Sequence, residues 1–270
     1  MEEAVVRLVK QQQERRYGMH RAFVSDNQDP EKRGRLKLKI SSVLGDEESD
    51  WALPCFPFGG TPEATFFMVP EAGAQVWAEF EEGDLQRPIW VGTFPQQSSD
   101  VPQEAAKSPP TTRMLRTPGG HLLQFDDKSG EEQIHLHHVK NGDMVIDKDG
   151  GITITDAQGA TVKLDANAGK VQIEDANGNV LTLDSSGINV ADASGNKVEM
   201  TAAGVTVKGV KVVIDATLVT LAGQGGEPIV KGATLLGLLN SHVHMTAWGP
   251  SSPPVVPFMP SILSTKVQTS

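Results

Sequence analysis

Histidine pairs are the residues whose spacing most directly suggests chemistry in this chain. One residue separates His135 from His137, and one residue separates His242 from His244. In an extended strand, residues i and i+2 point to the same side, so both rings of a pair face one way. Imidazole nitrogen binds iron, nickel and zinc. Each pair is therefore a candidate metal site, and the surrounding sequence has to be weighed for each.

The first pair lies in an alternating pattern. Ile134 and Leu136 alternate with His135 and His137, so apolar and imidazole side chains occupy opposite faces of one strand. The apolar face is the one expected to be buried. We therefore expect His135, His137 and the neighbouring His138 on an exposed surface, with a metal site as the alternative.

The sequence shows no recognisable motif for covalent or acid–base catalysis. Glu81, Glu82 and Asp84 form a carboxylate cluster, but a turn between strands accounts for them. The single cysteine, Cys55, follows Pro54 without an evident base partner, and the sequence has no Gly-x-Ser-x-Gly motif. We predict that the protein has no catalytic residues and is not an enzyme.

Charge and apolar runs exclude several classes of protein. The 270 residues carry a formal charge of −10, which is opposite to the basic surface that nucleic acid requires. One cysteine cannot form an intrachain disulfide, and no run approaches the roughly 18 apolar residues of a membrane span. The acidic start, Met1-Glu2-Glu3, does not fit a secretory signal. We expect assembly in the cytoplasm and no nucleic-acid partner.

Aromatic and proline residues divide the chain into parts. Eleven of the 14 aromatic residues fall between positions 17 and 94, and none falls between 126 and 247. Positions 119–227 contain no proline, which suits continuous strand pairing because proline lacks the N–H that a sheet ladder uses. The predicted parts are an N-terminal segment (1–16), an aromatic domain (17–95), a linker (96–118), a rod-like repeat region (119–224) and a proline-rich end (225–270).

The aromatic domain shows the pattern of short strands. Leu36, Leu38 and Ile40 alternate with basic residues, which is the period of a half-buried strand. About 80 residues with five strands indicate a small closed barrel of the OB-fold type. The five predicted strands are Tyr17–Asp26, Gly34–Ile40, Phe66–Met68, Gln75–Phe80 and Pro88–Gly92.

The rod-like region is a repeat of about nine residues. Glycines recur from Gly142 to Gly204 at intervals of 8 to 10 residues, and two apolar residues spaced two apart lie between successive glycines. Each apolar pair places two side chains on one face of a short strand, and each glycine allows a tight turn. Residues 177–192 also align with 194–209 at a shift of 17. Such units must stack, because one unit cannot bury its apolar face alone.

Two architectures are compatible with a nine-residue repeat. A calcium-binding roll needs Gly-Gly-x-Gly-x-Asp, whereas this chain usually has one glycine per unit, with residues such as Asp156 and Asp165 after the apolar pair. An intertwined trimer needs small aliphatic side chains without aromatics, since three chains share a narrow interior. The sequence favours the trimer. Residues 126–199 carry 14 acidic and 6 basic side chains, an acidic coat that discourages association through strand edges.

A series of motifs lies in order along residues 17–220. They are Tyr17-Gly18-Met19-His20-Arg21-Ala22, Asp26-Asn27-x-Asp29-Pro30, Gly34-Arg35-Leu36-Lys37-Leu38, Trp51-Ala52, Val69-Pro70-Glu71-Ala72-Gly73, Phe80-Glu81-Glu82-Gly83-Asp84, Pro88-Ile89-Trp90-Val91-Gly92, Gly120-His121-x-Leu123-x-Phe125-Asp126-Asp127 and Glu132-x-Ile134-x-Leu136-His137. These motifs and their order resemble the spike proteins of contractile injection systems, a family that comprises phage baseplate spikes and the type VI secretion spike proteins called VgrG. The resemblance implies an all-β homotrimer with an N-terminal OB-fold domain, an intertwined trimeric β-helix needle over 119–224 and a proline-rich tip.

The resemblance also implies function and partners. In this family a contracting sheath drives the needle into a target envelope. We therefore expect a structural central spike of an extracellular injection particle, a tailocin or a phage tail, outside the cell or at its envelope when it acts and in transient contact with the target membrane. VgrG proteins carry hub domains before the OB domain, where this sequence has 16 residues. We expect a separate hub or baseplate protein there, bound by a helix within 1–16 unless that segment is a frayed terminus, and a PAAR-like tip protein or effector at 225–270.

In a trimer, the second histidine pair becomes a candidate site for one metal ion shared by three chains. Three copies of His242 and His244 on a threefold axis offer six imidazoles, which favours one six-coordinate iron over tetrahedral zinc. Phage spikes of this family with a similar His-x-His at the apex hold an iron ion. We predict His242 and His244 as ligands of one iron, or another transition-metal ion, per trimer; the alternative is that they lie on a loop and bind nothing. The leucines just before them, at 235, 236, 238 and 239, suggest a helical plug.

A second class of function is a receptor-binding or polysaccharide-degrading tail fibre. It would need a carbohydrate cleft with paired carboxylates and aromatic platforms. The aromatic-free stretch 126–247 offers no such platform, so the sequence favours the spike.

Overall fold

The computed structural model describes residues 15–217, 219 and 230–260. The chain divides into two compact units, residues 1–210 and 211–270. Strands dominate the described residues, as predicted for an all-β chain. None of the helices described is long and apolar enough to cross a membrane. The helix predicted within 1–16 lies outside the described residues, except for its last two positions.

A small closed barrel forms the first part of unit 1. Its elements are β1 (His20–Asp26), β2 (Lys37–Lys39), the one-turn helix α1 (Ser41–Leu44), β3 (Leu53–Pro54), β4 (Gln75–Phe80), β5 (Pro88–Thr93) and the 3-10 turns Glu81–Gly83 and Ser98–Asp100. The strand order is β2-β1-β4-β5-β3, with β3 parallel to β5 and the other neighbours antiparallel. Two backbone hydrogen bonds between Leu36 and Ala52, of 3.1 Å and 2.8 Å, connect the two ends of this order. The sheet therefore closes on itself, as the OB-fold prediction requires.

The alternating residues of the sequence form the barrel core. Leu36, Leu38 and Ile40 are fully buried and pack with Val76 and Ala78 from β4. Trp90 is 3% exposed, and its indole N–H donates to the Gly34 carbonyl at 3.0 Å. The polar end of this ring is thus satisfied inside an apolar core, which fixes the ring orientation.

One predicted strand of the barrel is wrong. Phe66–Met68 lies in a loop, and the fifth strand is instead Leu53–Pro54. The aromatic residues that suggested a strand serve a different purpose: Phe67 packs on Phe56, and Phe56 makes an edge contact with Trp90, with ring centroids 5.5 Å and 5.4 Å apart. The loop is held by this ring contact and by one backbone hydrogen bond, from the Phe66 N–H to the Phe58 carbonyl at 3.1 Å.

Eleven strands form the second sheet of unit 1, and each pairs antiparallel with the next along the chain. They are β6 (Thr112–Arg116), β7 (Leu122–Asp126), β8 (Gln133–His138), β9 (Gly142–Ile146), β10 (Ile152–Thr155), β11 (Thr161–Asp165), β12 (Lys170–Glu174), β13 (Val180–Asp184), β14 (Gly187–Ala191), β15 (Lys197–Thr201) and β16 (Gly204–Lys208). The sheet begins inside the predicted linker, 96–118, because β6 pairs with β7 along its whole length. Its last described strand ends at Lys208, ahead of the predicted boundary at 224.

Aspartate-capped turns connect many of these strands. Asp175 accepts the backbone N–H groups of Asn177 and Asn179, both at 2.9 Å, and Gly178 in the same turn has a φ of +84°. The same Asp-x-x-Gly arrangement, with bonds to the second and fourth following residues, recurs at Asp147, Asp156 and Asp192. The acidic residues that follow the apolar pairs are therefore turn caps.

Unit 2 contains one helix and one short hairpin among its described residues. The helix α2 (Gly232–Ser241) covers the leucine-rich stretch, as predicted, whereas its role as a plug stays a prediction. The hairpin pairs β17 (Met245–Thr246) with β18 (Gly249–Pro250).

Candidate functional site

One face of the second sheet is apolar from its first strand to its last. Ile173 on β12, for example, lies opposite Val162 on β11 and Leu181 on β13. We call this surface the apolar face. Its side chains are Leu115, Leu123, Phe125, Ile134, Leu136, Met144, Ile146, Ile152, Ile154, Val162, Leu164, Val171, Ile173, Leu181, Leu183, Ile188, Val190, Val198, Met200, Val205 and Val207. The predicted apolar pairs thus align in register along the sheet.

Much of the apolar face is exposed in a single chain. Ile173 is 44% exposed, Leu136 52% and Val205 66%. Soluble monomers rarely expose a continuous apolar patch of this extent. Burying one such side chain contributes about 1.5–3 kcal/mol. The apolar face is therefore suited to packing against other chains.

The opposite face of the sheet is polar, and we call it the polar face. It carries side-chain ion pairs along single strands, such as Lys163–Asp165 at 3.1 Å and Lys197–Glu199 at 2.6 Å. At its start, Lys107 pairs with Asp126, which also accepts the Thr112 hydroxyl at 3.0 Å. The Lys107 contact holds the pKa of Asp126 well below its ordinary value. The segment before β6 is thereby tied to the first strands of the sheet.

His135 and His137 lie on the polar face, and Asp143 of β9 lies beside them. His135 Nε2 is 2.6 Å and His137 Nδ1 is 2.8 Å from the same atom, Asp143 Oδ1. The three side chains are 25%, 29% and 30% exposed. Hydrogen bonds from His135 and then His137 lower the pKa of the Asp143 carboxyl.

The structure confirms one part of the prediction for these histidines and corrects another. His135 and His137 do lie opposite Ile134 and Leu136, but they are half-buried and bonded to Asp143, whereas only His138 is exposed. The sequence by itself did not predict Asp143 as a third member of this cluster, because Asp143 lies on the next strand, β9. The register of the β8–β9 hairpin places it directly opposite His137.

The predicted apex ligands lie at the end of helix α2. The rings of His242 and His244 are 5.2 Å apart between centroids, and both residues are exposed. His242 Nδ1 lies 2.6 Å from the Leu239 carbonyl oxygen, and the backbone N–H of His244 donates to Ser251 Oγ at 2.8 Å. The structure thus brings the two rings together within one chain, and metal binding by them stays a prediction.

The carboxylate cluster lies in a turn, as expected. Glu81 forms an ion pair with Arg87 at 2.7 Å, and Asp84 accepts the backbone N–H of Gln86 at 3.0 Å. Both contacts stabilise the connection between β4 and β5. Cys55 lies just after β3, where its backbone N–H donates to the Trp90 carbonyl at 2.9 Å.

Two family matches cover the two parts of unit 1. Residues 20–94 match the type VI secretion system/phage-baseplate injector OB domain. Residues 112–168 match the phage baseplate V C-terminal trimerisation domain. The second match covers β6 to β11, the first six of the eleven strands that carry the apolar face, so it supports a homotrimer.

Curated relatives agree with these matches. The chain is 30% identical over 139 residues to the actin cross-linking toxin VgrG1 of Vibrio cholerae, which is 48% of this chain and 12% of that protein. It is 30% identical to the spike protein VgrG1a and 29% identical to VgrG5, both type VI secretion proteins of Pseudomonas aeruginosa. These matches cover 32% and 49% of this chain, and 15% and 18% of the relatives. The chain thus spans less than a fifth of the length of each.

The closed barrel matches the injector OB domain, and the first strands of the second sheet match the trimerisation domain of baseplate proteins. In these two regions the chain is similar to the VgrG spike proteins. Two of these relatives, VgrG1a and VgrG5, carry the words type VI secretion system spike protein in their names. The actin cross-linking activity named for the Vibrio relative belongs to that protein, since the match covers only 12% of it.

Proposed function

We propose that the protein is the central spike of a contractile injection machine and that it acts mechanically, by piercing the envelope of a target cell. The observation that carries this proposal is the exposed apolar face, placed directly after an OB domain of the injector type. Three copies would bury their apolar faces against one another and leave three polar faces outward.

The composition of the apolar face suits a narrow shared interior. From β9 to β16 each strand contributes two aliphatic or methionine side chains and no aromatic one. Within one chain each strand from β7 to β15 is hydrogen-bonded on both sides. Such a sheet has little freedom to bend when three copies are packed together, which is the property required of a piercing element.

The net negative charge of the repeat region supports the same proposal. A fibre of strands exposes edges and flat surfaces that invite association with other sheets. Acidic side chains in the turns and on the polar face oppose that association through charge repulsion. The spike would therefore remain a separate trimer until it is assembled into a particle.

The apex histidines fit a metal cross-link between the three chains. When His242 Nδ1–H donates to the Leu239 carbonyl, the lone pair of Nε2 is free to bind a metal. Iron bound there would supply ligand bonds that hold three chain ends together. The separate hub protein, the PAAR-like tip and the contact with the target membrane are parts of the same proposal.

The spike proposal is tested first by mass. The purified chain should be a trimer of three times 28.9 kDa. In the cells that produce the particle, loss of the gene should abolish assembly of injection-competent particles, and the wild-type gene should restore it. A stable monomer, or particles that assemble and kill normally without the chain, would refute the proposal.

Metal at the apex is tested by elemental analysis of the trimer. Iron, or another transition metal, should be present at about one ion per three chains in protein purified without chelator. The double variant His242→Ala/His244→Ala should remain a trimer and lose this metal. If the wild-type trimer contained no metal, the metal prediction would be wrong, and His242 and His244 would be ordinary loop residues.

A further inference from the structure

Three metal-ligating atoms converge on the polar face, within 4.8 Å of one another. We propose that His135 Nε2, His137 Nδ1 and Asp143 Oδ1 bind one divalent transition-metal ion per chain, with Zn²⁺ as the best-suited ion. This site goes beyond the spike function and does not depend on it. Its residues belong to unit 1, whereas His242 and His244 belong to unit 2.

The backbone fixes the positions of the three ligands. His137 lies directly opposite Asp143 in the β8–β9 ladder, and His135 is two residues from His137 on the same side of β8. Both strands are internal in the sheet, since β7 pairs with β8 and β10 pairs with β9. The ligands are therefore held in place before a metal arrives, and only their side-chain torsions have to adjust.

The donor set suits zinc and related ions. Two imidazoles and one carboxylate are the ligands of open zinc sites, in which water takes the fourth position. The same donors also accept Ni²⁺ and Co²⁺, which makes Co²⁺ a spectroscopic probe. At metal–ligand bonds of about 2.0–2.1 Å, neighbouring tetrahedral ligands are about 3.3 Å apart. The N–O separations of 2.6 Å and 2.8 Å must therefore open by about 0.7 Å and about 0.5 Å.

Both histidines contact the same carboxylate oxygen, which distinguishes this cluster from two independent hydrogen bonds. Both nitrogens point at Asp143 Oδ1, so without metal each ring must carry a proton on its facing nitrogen. One metal ion takes the place of both protons, each of which moves through solvent to the other nitrogen of its own ring, and the ion attracts the negative carboxylate. Because the cluster lies opposite the apolar face, trimer assembly leaves it open to solvent.

The expected consequence is a cross-link between β8 and β9 near the start of the sheet. The turn between these strands contains Asn141 in the left-handed region, with a φ of +62°. A metal that joins the strands beside this turn would oppose its opening. Zinc should therefore raise the thermal unfolding midpoint of the trimer, as any ligand that binds only the folded state does.

The experiment uses the full chain with His242→Ala/His244→Ala, so that the apex contributes no metal. Zn²⁺ titration by calorimetry after chelator treatment should show one ion per chain, which differs from one per three chains at the apex. Asp143→Asn and His135→Gln should each weaken binding by about tenfold or more. The matched control is His138→Gln, on the same strand but on the apolar-face side, and it should bind zinc as the parent does.

Co²⁺ gives a readout that requires no variant in the cluster. The parent trimer should show the intense visible absorption of a four-coordinate cobalt ion, displaced by equimolar Zn²⁺. A spectrum of fully hydrated cobalt, or absence of saturable zinc binding, would overturn the proposal. Binding that persists unchanged in trimeric Asp143→Asn and His135→Gln would overturn it as well.

Discussion

Asp29 and Arg35 form an ion pair on the OB barrel in which Arg35 Nη2 lies 2.6 Å from Asp29 Oδ1, with 12% of the arginine and 3% of the aspartate side chain exposed. Asp29 also accepts the backbone N–H groups of Glu31 and Arg33, at 3.0 Å and 2.7 Å. These contacts, with the Arg35 hydrogen bond as the largest, hold the pKa of Asp29 well below its ordinary value. One carboxylate thus organises the whole turn that leads into β2.

The first prediction follows from this ion pair. Asp29→Asn keeps the shape of the side chain but leaves Arg35 without its best-buried counter-charge, so the unfolding midpoint should fall by several degrees. Glu31→Gln is the matched control. Glu31 also contacts Arg35, at 3.0 Å, but it is 56% exposed, and its loss should have little effect. Differential scanning calorimetry distinguishes the two variants, and equal midpoints would contradict the structural role of Asp29.

The second prediction concerns the apolar face. Ile173→Glu places a charge at the centre of that face, where three chains would have to bury it, and should abolish the trimer. Gln172→Glu adds the same charge one residue away on the polar face and should leave the trimer intact. Native mass spectrometry measures the outcome. A trimeric Ile173→Glu variant would show that the apolar face is not the interface.

The third prediction compares two glycines related by the 17-residue repeat. A Cβ on Gly187 would lie 1.8 Å from the Met200 carbonyl oxygen, whereas a Cβ on Gly204 meets no described atom within 4 Å. Both have φ values in the region that disfavours other residues, +138° and +134°. Gly187→Ala should therefore destabilise the trimer by about 2 kcal/mol or more, and by more than Gly204→Ala.

Chemical denaturation of the two alanine variants measures this difference. Equal losses of stability would mean that the backbone strain common to both positions explains the effect, and that the contact of a Gly187 Cβ with Met200 of β15 adds nothing. A larger loss for Gly204→Ala would contradict the packing described for Gly187.

The fourth prediction is a dependence on pH. The amide of Asn179 and the turn N–H groups lower the pKa of Asp175 from 3.8 to about 2. The folded state therefore binds fewer protons than the unfolded state between these values. The stabilisation is complete above about pH 5 and is lost as the pH falls through the lowered pKa.

The unfolding midpoint measured from about pH 5 to pH 2 tests this dependence. Asp175→Asn should lie below the wild type at pH 5, and the difference should shrink as the solution becomes acidic. Asp127→Asn serves as the control, because the Asp127 carboxylate forms an exposed ion pair with Arg113 and does not cap its own turn as Asp175 does. A difference between Asp175→Asn and the wild type that stays constant with pH would contradict the prediction.

The sequence by itself determined the periodic parts of this protein. Alternation at Leu36, Leu38 and Ile40 predicted the barrel core, and the recurring apolar pairs predicted which side of each rod strand is apolar. Both follow from the two-residue period of a strand, which needs no information from distant residues. The motifs along the first domain were sufficient to predict the OB fold, and the family matches agree with it.

Only the tertiary structure decided which residues meet across strands. The strand predicted at Phe66–Met68 is a loop in which Phe67 contacts Phe56, a partner eleven residues away that local sequence does not reveal. Asp143 joins His135 and His137 because of the hairpin register, which depends on how the whole β8–β9 turn closes. Composition and spacing describe one strand at a time, whereas a ligand cluster depends on the pairing of two.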